Sequence, residues 1–177
     1  MRILFFNLLR ETLPSRTPHL GLASLSAVLR SQGHTVQVAD FVLLSDLKRR
    51  GIRILTPLEV VQEFWPDIIG ISAYTANFSG ASHLIDELAR FETPIIVGGP
   101  HATLHAEKLR HDMRLSAIFR GESELSIQEH IEKIRKGGEP VVINSPIPDP
   151  SKLEAPDFTS FLGHEEIRQY PMMTSRG

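Results

Sequence analysis

The chain has 177 residues, 41% of them hydrophobic, which is enough for one sizeable core and too few for two ordinary domains. A formal net charge of -2 and the absence of an apolar run of ~18 residues argue against nucleic acid and membrane as partners. The sequence contains no cysteine, which excludes disulfides, thiolate nucleophiles and cysteine-ligated clusters from these residues. We therefore expect a cytoplasmic protein with one domain and a tail.

The first predicted elements form a strand, a helix and a second strand. Residues 2–6 are a short apolar run that fits a strand buried on both faces. Residues 20–29 carry an apolar helical pattern that ends at Gly33, a residue suited to a helix C-terminus. Residues 35–38 alternate with a β-branched bias, about thirty residues after the first strand, which is the length of a βαβ unit. This spacing predicts parallel pairing.

The middle of the chain repeats the alternation. Thr56, Pro57 and Glu59 predict a helix start, in which Thr56 caps the helix and Glu59 completes a capping box. Residues 68–72 are the clearest buried strand, and residues 79–90 supply the next helix.

A second continuous apolar strand at residues 95–97 then runs into a pair of glycines. Residues 104–109 offer one or two helical turns, residues 117–119 a fifth strand, and residues 125–136 an amphipathic helix. The sequence thus predicts an α/β fold with a doubly wound, five-stranded parallel sheet of the flavodoxin-like order 2-1-3-4-5.

The character of the sequence changes near residue 140. Prolines recur from there at Pro140, Pro146, Pro148, Pro150 and Pro156, a density that a long helix does not tolerate. We predict an α/β domain at residues 1–139 and a linker with a first strand of another domain at residues 140–177.

The predicted ligand edge is the crevice between the first and third strands, beyond the carboxyl ends of the sheet. Gly98 and Gly99 would let the backbone approach a ligand, and helix amides after Asn77 and Glu122 could bind an anionic group. The alternatives are a simple tight turn at the glycines and a helix start merely capped by Ser123. His101 and His105 are spaced for one helical face but lack a carboxylate in a metal-ligand pattern, so we interpret them as ordinary polar histidines.

Known catalytic motifs are missing. The sequence has no G-x-S-x-G elbow, no P-loop and no G-x-G-x-x-G after the first strand, which argues against a hydrolase, an NTPase and a dinucleotide-binding domain. A receiver-type regulator needs acidic residues after the first strand, where Asn7 and Leu8 stand instead.

Four segments together resemble the N-terminal cobalamin-binding domain of cobalamin-dependent radical SAM enzymes. They are residues 18–25 (PHLGLASL) with 33–36 (GHTV), residues 66–72 (PDIIGIS), residues 94–103 (PIIVGGPHAT) and residues 118–124 (IFRGESE). The resemblance implies cobalamin at the carboxyl edge, with its nucleotide tail between the first and third strands. The residues that it assigns to cofactor binding are Pro18, His19, Leu20, Ser72, Thr75, Asn77, Gly98, Gly99, Pro100, Gly121, Glu122 and Ser123.

The resemblance also concerns the end of the chain and the metal. In that family a strand ending in Ser-Arg-Gly precedes the C-x-x-x-C-x-x-C loop of the catalytic barrel, and this chain ends in Thr174, Ser175, Arg176 and Gly177. We therefore expect a chain truncated before a barrel that would hold an iron-sulfur cluster and S-adenosylmethionine. The D-x-H-x-x-G motif is absent, so no axial histidine ligand of cobalt is assigned.

Two functions remain open from the sequence. The first is a cobalamin-binding module whose partner is the downstream barrel of a parent methyltransferase or oxidative cyclase, the fragment itself having no radical chemistry. The second is a degenerate domain that does not bind cobalamin and serves substrate recognition or interdomain packing.

Overall fold

A computed structural model describes residues 1–8 and 17–173 of the chain. Within these residues, six parallel strands form one sheet in the order β2-β1-β3-β4-β5-β6. The strands are β1 (Arg2–Asn7), β2 (Thr35–Asp40), β3 (Ile68–Ser72), β4 (Ile95–Gly98), β5 (Ala117–Arg120) and β6 (Val141–Asn144). Each parallel strand returns through a crossover, as in doubly wound folds.

The crossovers contain the helices. In the described residues these are α1 (Leu20–Ser31), α2 (Phe41–Arg49), α3 (Pro57–Phe64), α4 (Phe78–Leu88), α5 (Pro100–Leu109) and α6 (Glu124–Arg135). Short 3₁₀ turns lie at Thr75–Asn77, Ala89–Phe91, Pro150–Lys152, Phe158–Ser160 and His164–Glu166. None of the helices in the described ranges has the length and apolar character needed to cross a bilayer.

The sheet has a hydrophobic core on each face because successive side chains of a strand point to opposite sides. Leu4 and Phe6 of β1 belong to the hydrophobic cluster between the sheet and helices α3, α4 and α5. Ile3 and Phe5 belong to the cluster on the other face, between the sheet and helices α1 and α6. This two-sided burial explains why the predicted strands read as continuous apolar runs.

The prediction of a doubly wound α/β fold with order 2-1-3-4-5 is confirmed, and the predicted number of five strands is too low. The sixth strand, β6, pairs with β5 in register from Ala117 opposite Val141 to Arg120 opposite Asn144. The prolines around this strand led to the prediction of a linker in its place. Residues 141–144 contain none, and Pro140 precedes the first strand hydrogen bond, so its missing N–H costs no ladder bond.

The capping box is confirmed. The Glu59 amide donates to Thr56 Oγ1 at 3.3 Å, and the Thr56 amide donates to Glu59 Oε2 at 2.7 Å. Helix α5 begins at Pro100, four residues before the predicted 104–109 turns, because proline suits the first helical position. No predicted element covers the residues of α2. The start of this helix is capped by Asp40, which accepts from the Val42 amide at 3.0 Å.

The segment after β6 returns to the opposite edge of the sheet. Its Asp157 amide donates to the Ala23 carbonyl at 3.0 Å, and its Leu162 amide donates to the Val38 carbonyl at 2.9 Å. Phe161 is 1% exposed and packs in the core beneath α1. The division of the chain at residues 139 and 140 stays a prediction, and residues 174–177, which carry the predicted Ser-Arg-Gly end, lie outside the described residues.

Candidate functional site

A cavity of about 750 Å³ opens at the carboxyl edge of the sheet, on the face covered by α1 and α6. Its polar wall comes from the ends of β1, β3 and β4 and from the loops that follow them. Its apolar wall is formed by strand and helix side chains: Phe5, Leu22, Leu25, Ile96, Phe119 and Ile127. The cavity therefore lies at the switch point, where open α/β sheets bind their ligands.

The structure brings ten of the twelve sequence-predicted residues to this cavity. They are Pro18, His19, Leu20, Ser72, Gly98, Gly99, Pro100, Gly121, Glu122 and Ser123. Their contact with a cofactor stays a prediction, whereas their convergence on one cavity is a finding.

Thr75 and Asn77 do not line the cavity. Thr75 Oγ1 lies 3.2 Å from His101 Nδ1, and Asn77 joins two loops by accepting from the Tyr74 amide and donating to the Leu8 carbonyl. The 3₁₀ turn at Thr75–Asn77 turns the chain away from the strand end, so Thr75 meets α5 and Asn77 meets the loop after β1 instead of the crevice.

His19 organises the mouth of the cavity. Its Nδ1 accepts the Leu22 amide at 3.2 Å, which caps α1. The ring proton is therefore on Nε2, which lies 2.9 Å from Ser72 Oγ and 3.0 Å from Tyr74 Oη and donates to these oxygens. In this arrangement neither ring nitrogen directs a lone pair into the cavity, as a ligand of cobalt would require.

Behind His19, a buried carboxylate ties the ends of two strands together. Asp40 is fully buried, and its oxygens accept from Asn7 Nδ2 at 2.9 Å, the His19 amide at 2.9 Å and the Val42 amide at 3.0 Å. Burial raises the pKa of Asp40, and the hydrogen bonds oppose that shift by stabilising the ionised form. Asn7 and Asp40 were not predicted as site residues, although each is the polar residue that ends an apolar strand.

Two glycines shape the floor of the crevice. A Cβ at Gly70 would lie 2.4 Å from Phe5 Cδ1, so glycine allows the Phe5 ring to lie flat on β3. Gly99 has φ of 94°, and a Cβ there would lie 2.8 Å from the Ala73 carbonyl oxygen. A side chain at either position would have to displace these neighbours, so glycine is required at both.

The starts of α5 and α6 border the cavity. Pro100 and Glu124, the first residues of these helices, both line it, so the partial positive charge of two helix N-termini faces the edge. Ser123 occupies the N-cap position of α6, but its hydroxyl donates to the Gly121 carbonyl at 3.3 Å and makes no side-chain cap bond. The alternative in which the Ser123 side chain merely caps α6 is therefore not realised in the structure.

His101 and His105 lie outside the cavity. Their rings are 4.4 Å apart, and the His101 ring stacks on Phe78 at 3.8 Å. Burial lowers the pKa of His101, and the neighbouring His105 and Lys108 lower it further. No group of three metal-ligating side chains occurs in residues 1–8 and 17–173.

A comparison with protein families covers this part of the chain. The family model of the B12 binding domain matches residues 7–130, from the end of β1 into α6. The chain belongs to the B12-binding domain family. The matched range contains the switch-point cavity and all twelve residues assigned by resemblance.

Two curated relatives share this region. The chain is 30% identical over 141 residues to cytidylyl-2-hydroxyethylphosphonate methyltransferase of Streptomyces wedmorensis, covering 70% of the chain and 26% of that protein. It is 32% identical over 126 residues to the uncharacterized methyltransferase PH0819 of Pyrococcus horikoshii, covering 69% of the chain and 26% of that protein. The chain thus spans about a quarter of the length of these relatives. No solved structure matches the chain significantly.

Proposed function

We propose that the domain binds cobalamin at the carboxyl edge of its sheet, as the cofactor module of a cobalamin-dependent radical SAM methyltransferase. The observation that carries the proposal is the open crevice between β1 and β3 in a B12-binding domain. Cobalamin supplies a cobalt centre that can carry a methyl group, which agrees with the methyltransferase names of both relatives.

The residues of the cavity fit the proposed cofactor. A flat aromatic base needs an apolar slot, and Leu22, Phe119 and Ile127 line one beside the glycine floor. A nucleotide phosphate needs donors, and the helix N-terminal amides border the same edge. Carboxamides need hydrogen-bonding groups, and the Ser72 hydroxyl offers one at the end of β3.

The crevice also bears on the alternative of a degenerate, non-binding domain. Filling of the switch point by the side chains of Tyr74 and Phe78 would support that alternative. Tyr74 lies at the wall with its hydroxyl held by His19, and Phe78 stacks on His101 outside the cavity. The observation that favours the alternative is the engagement of both His19 ring nitrogens, which leaves cobalt without a histidine ligand here.

The proposed partner is the catalytic barrel of the parent protein, with its iron-sulfur cluster and S-adenosylmethionine. Apolar side chains at the mouth of the cavity support a covering domain: Leu104 is 73% exposed and Met173 is 55% exposed, and both line the cavity. A C-x-x-x-C-x-x-C run encoded directly after Gly177 would support this parentage, and a stop codon there would contradict it.

Titration with hydroxocobalamin tests the binding proposal. We expect the 177-residue chain to shift the cobalamin absorbance spectrum saturably and to carry cobalamin through gel filtration. The same titration with the whole protein shows whether a second domain completes the site. Folded protein that elutes free of cobalamin in both forms would refute cobalamin binding and favour the degenerate domain.

A further inference from the structure

The ring of His19 joins the start of α1 to the end of β3, and it can do so in only one protonation state. Its Nδ1 lies 3.2 Å from the Leu22 amide nitrogen, and a backbone N–H group can only donate. Nδ1 therefore carries a lone pair, and the proton of the neutral ring is on Nε2. The first turn of α1, which supplies this N–H group, thus fixes the tautomer of His19.

This tautomer decides the direction of the hydrogen bonds on the other side of the ring. The hydroxyl oxygens of Ser72 and Tyr74 lie 2.9 Å and 3.0 Å from His19 Nε2. Because a protonated Nε2 has no lone pair, neither hydroxyl can donate to the ring, and each directs its own proton elsewhere. The opposite tautomer would accept a hydroxyl proton at Nε2 and so remove that proton from use. The cap of α1 therefore sets the polarity of hydroxyls on a different element.

Ser72 carries one of these hydroxyls on the cavity face of the sheet. It is the last residue of β3, is 5% exposed and lines the cavity. It follows Gly70 by two residues, and a Cβ at Gly70 would meet Phe5 of the apolar wall, so the Ser72 side chain projects from the same face. Among the described residues, the His19 ring is the one hydrogen-bonding partner of Ser72 Oγ. The Ser72 proton therefore remains for a group of the ligand.

We infer that His19 is a positioning residue, whose Nε2–H holds Ser72 Oγ so that the Ser72 hydroxyl donates a hydrogen bond to an acceptor atom of the cofactor. The inference rests on the proposed binding of cobalamin, and it adds the polarity of the contact and the residue that sets this polarity. Cobalamin offers such acceptors in the carboxamide oxygens of its corrin and in the phosphate oxygens and base nitrogen of its nucleotide tail. His19 thus acts on the cofactor through Ser72.

Two substitutions separate the roles of the two ring nitrogens. Asparagine places its carboxamide oxygen near the position of Nδ1 and is a good N-cap residue, but it has no atom at the position of Nε2. Glutamine places its carboxamide nitrogen near the position of Nε2 and leaves the cap position empty. His19→Asn should therefore keep the urea unfolding midpoint of wild type and bind hydroxocobalamin roughly 3- to 10-fold more weakly. His19→Gln should restore the affinity and unfold at a lower urea concentration.

A double substitution shows whether His19 acts through Ser72. Ser72→Ala should also weaken binding roughly 3- to 10-fold, and adding His19→Asn should weaken it no further. Thr56→Ala is the matched control for a lost cap, because Thr56 caps α3 outside the cavity: the midpoint should fall and the affinity should stay unchanged. Cobinamide, which lacks the nucleotide tail, locates the acceptor. A loss in Ser72→Ala that persists with cobinamide places the acceptor on the corrin, and a loss that disappears places it on the tail.

Nitrogen NMR of histidine-labelled wild-type protein tests the tautomer without any substitution. The His19 signals, identified by their absence in either His19 variant, should show a protonated Nε2 and an unprotonated Nδ1. A proton on Nδ1 overturns the inference, as does wild-type affinity in His19→Asn or in Ser72→Ala, or a further loss when the two are combined. In these cases the proposed function stands. Failure of wild-type protein to bind hydroxocobalamin overturns the proposed function and the inference together.

Discussion

Gly98 and Gly99 are adjacent in sequence, yet the structure predicts opposite effects for their substitution. Gly98 ends β4 with ordinary strand backbone, and a Cβ there would meet only Phe119 Cβ, at 3.9 Å. It lies two residues after Ile96 on the cavity face of the sheet, so the methyl groups of Gly98→Val would project into the crevice. Gly99, with φ of 94°, has no room for a Cβ.

The magnitudes follow from these surroundings. Gly98→Val should raise the free energy of unfolding by about 0.5–1 kcal/mol, because a β-branched residue loses less backbone entropy in a strand than glycine. Overpacking of the crevice should weaken ligand binding by about 1–3 kcal/mol, or roughly 5- to 150-fold in affinity. Gly99→Ala should lower the free energy of unfolding by about 2–3 kcal/mol through backbone strain and the contact with the Ala73 carbonyl.

Urea unfolding followed by circular dichroism measures the stabilities, and hydroxocobalamin titration of the same samples measures binding. The expected result for Gly98→Val is a protein at least as stable as wild type that has lost most of its affinity. Wild-type affinity in Gly98→Val would show that the ligand does not enter the crevice beside β4. A destabilised Gly98→Val would show that the free space at this position was misjudged.

Three further predictions concern stability. Phe161→Ala should lower the free energy of unfolding in urea by about 3–5 kcal/mol, because Phe161 is buried beneath α1. A loss below about 1 kcal/mol would mean that the segment after β6 is not part of the core. Asp112→Asn should lower the free energy of unfolding by about 1 kcal/mol. Hydrogen bonds from Arg114 lower the pKa of Asp112, so its contribution to stability is present above pH 3.8 and is lost as the pH falls further. A variant whose unfolding midpoints match those of wild type across a pH series would contradict this prediction. Burial lowers the pKa of His101 below its usual 6.5, so the unfolded chain takes up the proton first. The free energy of unfolding of wild-type protein should therefore fall as the pH drops through 6.5. His101→Gln should flatten this dependence on pH, and an unchanged dependence would exclude His101 as its source.

The order of elements could be read from the sequence because each strand of a doubly wound sheet is buried on both faces and separated from the next by punctuated helices. Apolar runs located β1, β3 and β4, and the residues Thr56, Pro57 and Glu59 located α3. Helix α2 was missed because it follows β2 without a break, with Asp40 serving both as the end of the strand and as the cap of the helix. Strand β6 was missed because the prolines that surround it are local signals, whereas its pairing with β5 is not.

The candidate site also has a part that the sequence predicted and a part that it did not. The sequence by itself determined which strands end at the ligand edge, because parallel strands place all their carboxyl ends together, and so Ser72, Gly98 and Gly99 could be named. Only the tertiary structure decided the directions of side chains beyond those ends: Thr75 turns to His101 of α5, and Asn77 turns to the loop after β1. Asn7 turns its amide nitrogen to Asp40. The physical reason is that a side chain's direction there depends on partners distant in sequence, as the 2.9 Å contact between Asn7 and Asp40 illustrates.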